Sequence, residues 1–109
     1  MKYYLCGPID SAGDKEVNLN VFREAAKYLR GEGYQIVSPI EEIVEDPSKN
    51  YLDYIREDLK HLLGCEAIIL LPGWPQSKGA KGELTFAMYL NLPVYYYNPY
   101  INVLVSMNF

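Results

Sequence analysis

The chain has 109 residues, half of them hydrophobic, and a net charge of -4. That length supports one domain with one core. The acidic balance argues against a polynucleotide or an anionic membrane surface as partner, since both need clustered Lys and Arg; a small anion can still be held by a local nest of backbone N–H groups.

Residues 3 to 6 (YYLC) form a β-prone run that stops at the turn-forming stretch GPID, and the turn is expected to continue to about residue 17. Residues 18 to 30 then have helical periodicity. Leu19, Val21, Phe22, Ala25, Ala26, Tyr28 and Leu29 share one side, Arg23, Glu24, Lys27 and Arg30 the other, and Gly31 and Gly33 are the stop. YQIVSP reads as a second strand closed by Pro39, followed by a polar connection over 41 to 50 that is expected to be mobile. In residues 51 to 64, Ile55, Leu59, Leu62 and Leu63 recur at helical spacing before Gly64. AIILLP is continuously apolar, the pattern of a strand covered on both faces. A third long helix is predicted over about 79 to 91, and PVYYYNP supplies a fourth strand. INVLVSMNF is either a fifth strand or an apolar tail laid on a neighbouring subunit.

Strands alternating with helices predict a small flavodoxin-like or Rossmann-like α/β domain spanning 1 to 109. Its parallel sheet should have order 2-1-3-4, with a possible fifth strand and helices on both faces. Such sheets bind ligands at the carboxyl ends of their strands, beside the switch point between the first and third. The loops that meet there are GPIDSAG, with Gly7, Pro8 and Ile9, and GWPQSKGAKG, with Trp74, Ser77 and Gly79.

Within the last helix, Glu83 falls inside an arc formed by Ala80, Leu84, Phe86, Ala87, Met88 and Leu90, while Lys78, Lys81, Thr85 and Tyr89 face outward. An unpaired buried carboxylate costs several kcal/mol. Near the helix start, free N–H groups and the dipole offset part of that cost, and Gly79, Ala80 and Gly82 let a ligand approach the backbone. Two roles are open to Glu83. It bonds a loop amide or Tyr4 and secures the strand–helix junction, or it serves as nucleophile or base. Asp58 borders the apolar arc of the preceding helix and is expected early in it, at the same edge of the sheet. Two carboxylates at one cleft are the equipment for glycosidic cleavage, although a solvated helix aspartate fits Asp58 as well.

YYLCGPI, IREDLKHLLGCEAIILLPGW and SKGAKGELTFA, in that order, resemble the nucleoside 2-deoxyribosyltransferase superfamily, in particular a small phage and bacterial branch, over residues 3 to about 97. The resemblance implies retaining cleavage of an N-glycosidic bond without a cofactor. Glu83 would attack the anomeric carbon, Asp58 would protonate the leaving base and Tyr4 would position Glu83. Ser77 and Gly79 match relatives that read a 5′-phosphate, with Gly7, Pro8, Ile9 and Trp74 completing the substrate loops. Homodimers or larger assemblies are implied too. Transferases of this kind carry an acidic base-reading residue ahead of the glutamate, whereas residues 72 to 82 here contain none. Trp74 sits in that loop instead, either to stack on a base or sugar or to plug a subunit interface. Glu66, where the branch shows aspartate, reads as structural.

The other reactive residues suggest less. Cys6 and Cys65 lie in apolar segments without CxxC spacing and read as buried free thiols, and no cluster predicts a metal site. His61, the single histidine, reads as solvated, and the eleven tyrosines as packing rather than a base-stacking platform. With no signal-peptide pattern and no apolar run near 20 residues, a cytosolic location is expected. The leading expectation is an enzyme acting on a nucleoside or nucleoside 5′-monophosphate. A binding protein that sequesters or senses a nucleotide is the main alternative, and NAD cleavage is a third without matching motifs.

Overall fold

The computed structural model describes residues 1–10, 12–42 and 45–109. Its sheet has five strands, β1 (Lys2–Cys6), β2 (Gln35–Val37), β3 (Ala67–Leu70), β4 (Val94–Asn98) and β5 (Val103–Met107), in the order β2-β1-β3-β4-β5. The first four strands are parallel, as the alternation of elements predicts, and β5 returns antiparallel to β4. INVLVSMNF is therefore a strand of its own sheet, with Leu104 and Met107 packed into the core.

The pleat divides the core in two. Tyr4, Cys6, Ile68 and Leu70 point to one face, where α3 (Tyr51–Leu63) and α4 (Lys78–Tyr89) cover them with Leu62, Ala80, Leu84 and Ala87. Leu5, Ile69 and Leu71 point to the other and meet Phe22, Ala25, Ala26 and Leu29 of α1 (Lys15–Gly31). All four residues of β3 are buried, which is why that segment lacks a polar face. Each large aliphatic or aromatic side chain so enclosed contributes roughly 1.5–3 kcal/mol.

Several boundaries differ from the periodicity. Helix α1 begins at Lys15 rather than 18, because Asp14 caps it and accepts the Val17 N–H at 3.1 Å. Pro39 opens a one-turn helix, α2 (Pro39–Glu42), instead of closing a strand; its fixed φ suits a first helical position. Of the polar connection over 41 to 50, residues 43 and 44 lie outside the described residues. The remainder is hydrogen-bonded, with Asp46 accepting from Ser48 and Tyr54 Oη bridging to the Asp46 backbone. Helix α3 opens on a reciprocal capping box between Asn50 and Asp53. Helix α4 ends at Tyr89, short of 91, where Asn91 adopts a left-handed φ of 58°. Met88, still within the helix, and Leu90, just past its end, are exposed, outside the apolar arc assigned to them.

Glu66 clasps the start of β1 as a structural residue, its Oε2 accepting the Lys2 N–H at 2.6 Å. Five of the tyrosines pack on one another, Tyr3 meeting Tyr34 and Tyr95 edge-on and Tyr28 stacking on Tyr97, whereas Tyr51, Tyr89 and Tyr100 are exposed rather than packed. Cys6 and Cys65 are buried and free. Among the described residues no helix is long and apolar enough to cross a membrane.

Candidate active site

Strand β1 carries Tyr4 and Cys6 two residues apart, so both side chains leave the same face of the sheet, beneath α4. Helix α4 starts at Ser77, whose Oγ accepts the Ala80 N–H at 3.2 Å and caps the first turn. Gly79 and Gly82 have open space where a Cβ would stand, apart from the Ser77 hydroxyl 4.0 Å from the former. One turn after Ala80, Glu83 faces inward, and Tyr4 Oη donates to its Oε2 at 2.7 Å.

Glu83 is the sixth residue of α4, beyond the free N–H groups of the first turn. The dipole compensation expected from a helix starting near 79 is thus replaced by the tyrosine, since Ser77 starts the helix earlier. Burial pushes the Glu83 carboxyl up to about 7; the Tyr4 hydrogen bond opposes the shift, the Asp58 charge adds to it, and the nearby Cys6 thiol opposes it. Tyr4 is fully buried and held well above its usual range by desolvation and by the Glu83 charge, so it stays a donor.

Helix α3 starts at Tyr51, where its periodicity begins, so Asp58 is its eighth residue and mid-helix rather than early. It lies near enough to Glu83 all the same for its charge to act on that carboxyl. Its Oδ1 is buried without a hydrogen-bond partner among the described residues, and burial raises the carboxyl to about 6, with His61 pulling down and Glu57 pushing up. His61 is half-buried one turn along and acts on Asp58 through its charge. An orphaned oxygen beside a second interior carboxyl is equipment for moving a proton.

The remaining candidates separate. Gly7 and Pro8 are buried at the end of β1, and a Cβ on Gly7 would lie 3.0 Å from Leu71 Cβ, so only glycine lets β1 and β3 leave the sheet this close. Ile9 packs into the α1-side cluster, across the sheet from Glu83. Ser77 is 2% exposed and engaged as a cap, so its hydroxyl is turned inward, while Gly79 is exposed beside it. Trp74 lies in a 3-10 turn (Trp74–Gln76), half-buried on the α3/α4-side cluster with its ring edge-on to Phe109 at 6.2 Å. Lys78 and Lys81 are exposed. Two residues of this edge escaped the sequence reading. Asn18 anchors the loop after β1 by donating to the Ile9 and Ala12 carbonyls at 3.0 and 2.6 Å; a polar residue on the half-buried side of α1 was its only signal. Cys6, read as core, donates to the Ala80 carbonyl at 3.3 Å, one turn before Glu83, and favours the ionised form of that carboxyl. Among the described residues no group of His, Cys, Asp and Glu is placed to hold a metal ion.

Fold and site together define an α/β domain with paired carboxyls at the carboxyl edge of a parallel sheet. The chain belongs to the family described as a domain of unknown function, DUF4406, whose match spans residues 1–96. It is similar in structure to the 2-deoxyribosyltransferase of Bacillus psychrosaccharolyticus, with a TM-score of 0.70 and 22% identity over 91% of this chain and 73% of that one. A conserved protein from Enterococcus faecalis V583 superposes with a TM-score of 0.72 at 20% identity, covering 90% of this chain and 64% of that one. At these identities the likeness is one of fold, and the fold is that of the deoxyribosyltransferase. No curated protein sequence matches the chain with significance.

Proposed function

We propose that this protein cleaves the N-glycosidic bond of a nucleoside or nucleoside 5′-monophosphate, with Glu83 as nucleophile, Asp58 as general acid and base, and Tyr4 as the residue that aims Glu83. The observation that carries the reading is the interior carboxyl of Glu83, held by Tyr4 at 2.7 Å beside the unpartnered Asp58 oxygen. In the first step a Glu83 oxygen bonds to the anomeric carbon as the carbon–nitrogen bond breaks. The electron pair stays on the base nitrogen, and the Asp58 carboxyl proton goes to the base. In the second, water attacks the same carbon, Asp58 takes its proton, and Glu83 leaves as a carboxylate; a second base in place of water makes the reaction a transfer. An adjacent carboxylate stabilises oxocarbenium character best where water is excluded. Recognition of a 5′-phosphate would rest on backbone N–H groups at the start of α4 around Gly79, given that the Ser77 hydroxyl is buried.

Purified protein incubated with deoxynucleosides and their monophosphates is expected to release free base, measured by chromatography. Glu83→Ala should reduce that release by at least ~10³-fold. A second reading, nucleotide binding without turnover, is favoured by the lack of any acidic residue in 72 to 82 to read the base. Calorimetric binding with no base released by the wild type would select it.

The proposal includes self-association. The chain is acidic overall, and its uncharged edge strand β5, with Val103 and Val105 41% and 45% exposed, is where a second copy would pair.

A further inference from the structure

Two side chains of β1 reach α4 one helical turn apart. Tyr4 bonds Glu83, and Cys6, fully buried at the end of the strand, donates its thiol proton to the Ala80 carbonyl at 3.3 Å. Ala80 and Glu83 lie three residues apart on one face of the helix, so the thiol bonded to the Ala80 carbonyl also lies near the Glu83 carboxyl, on the side that favours its ionised form. A small hydrophobic residue would fill this space equally well. Sulfur here does more than pack, since its proton is bonded to the backbone of the turn that carries the carboxylate.

We infer that Cys6 is a positioning residue for Glu83: its thiol, bonded to the Ala80 carbonyl one turn before Glu83, pins the turn that carries the carboxylate and, together with Tyr4, steadies the ionised side chain in a single orientation. This deepens the glycosidase reading and rests on it for its catalytic meaning. The groups that face Glu83 are Tyr4 and Cys6 from β1 and Asp58 from α3, with His61 and Glu57 acting on Asp58 in turn. A donor to the ionised form favours that form, so removing the thiol should make Glu83 harder to ionise.

The test follows the Glu83 carboxyl directly. Protein labelled with 13C at glutamate side-chain carboxyls is titrated by NMR as wild type, Cys6→Ala and Cys6→Ser, with Glu83→Gln to assign the resonance and melting curves to confirm folding. Cys6→Ala is expected to raise the Glu83 midpoint by at least ~0.5 pH unit, and Cys6→Ser, which restores a donor, to bring it back towards wild type. On a substrate that is turned over, Cys6→Ala should lower kcat about 3- to 10-fold with KM little changed, the loss recovered in Cys6→Ser. If the titration curves of wild type and Cys6→Ala superimpose, or if Ala and Ser shift the midpoint equally, Cys6 is packing and the inference is overturned. Because titration needs no substrate, a wild type that releases no base would sink the glycosidase reading while leaving the placement of Cys6 decided by the NMR result.

Discussion

Glu83 is costly to fold around. Its folded carboxyl titrates at about 7 against an ordinary value of 4.5, so the folded state holds its proton more tightly than the unfolded chain does. A carboxylate raised in this way removes stability as pH climbs from the unfolded value through the folded one, and the loss is complete above it. Glu83→Gln is therefore expected to be more stable than wild type at pH 8, by roughly 1–3 kcal/mol, and nearly equal to it at pH 4; melting temperatures at the two pH values check this. Activity carries the opposite demand. The nucleophile must be ionised while Asp58, raised to about 6, must keep its proton. The rate should follow a bell with its maximum between about 6 and 7, its limbs belonging to the coupled pair rather than to either residue. A rate that rises without a maximum to pH 9 would remove Asp58 from the role of acid.

Helix α4 delivers the site because its start is set by one side chain. The Ser77 cap places Ala80 and Glu83 over Tyr4 and Cys6, and Gly79, Ala80 and Gly82 keep the first turns slim. Ser77→Ala should cost about 1 kcal/mol by urea denaturation and lower base release. The close passage of β1 and β3 makes a second element-scale demand. Gly7→Ala would press a methyl to 3.0 Å from Leu71 Cβ and is expected to destabilise by about 1–3 kcal/mol, read in the same denaturation curves.

Charge is unevenly spread over the whole molecule. Every Asp, Glu, Lys, Arg and His lies within residues 1–83, and residues 84–109 have none. These last residues build the end of α4, β4 and the edge strand β5, and they expose Tyr89, Tyr100, Ile101 and Phe109 as well as the two valines. Natural sheets protect a free edge with Lys, Pro or bulges, yet β5 has no charge or proline. Wild-type protein is expected to sediment as a dimer or larger species, and Val105→Lys to weaken that association at least ~10-fold while leaving the melting temperature within a few degrees. A wild type that stays monomeric at high concentration in ultracentrifugation would rule out the β5 contact. Deleting residues 101–109 would strip β4 of its antiparallel neighbour, so the point substitution probes the contact more cleanly.

The architecture was legible because it depends on patterns that a linear chain displays. The unbroken apolar run of β3, the helical stripes of α1 and α3, and their alternation with strands predict order 2-1-3-4, and each reflects simple exclusion of apolar surface from water. Glu83 was visible for the same reason, as a charge inside an apolar arc. Tertiary structure decided what distance in sequence conceals. It placed Tyr4 within 2.7 Å of a residue 79 positions away, gave Cys6 a donor role by bringing it to the Ala80 carbonyl, turned Ile9 to the far side of the sheet and engaged Ser77 as a cap. Local periodicity reports which face of an element meets the core. Which partner waits there depends on how strands and helices dock, and that is settled by packing across the sheet.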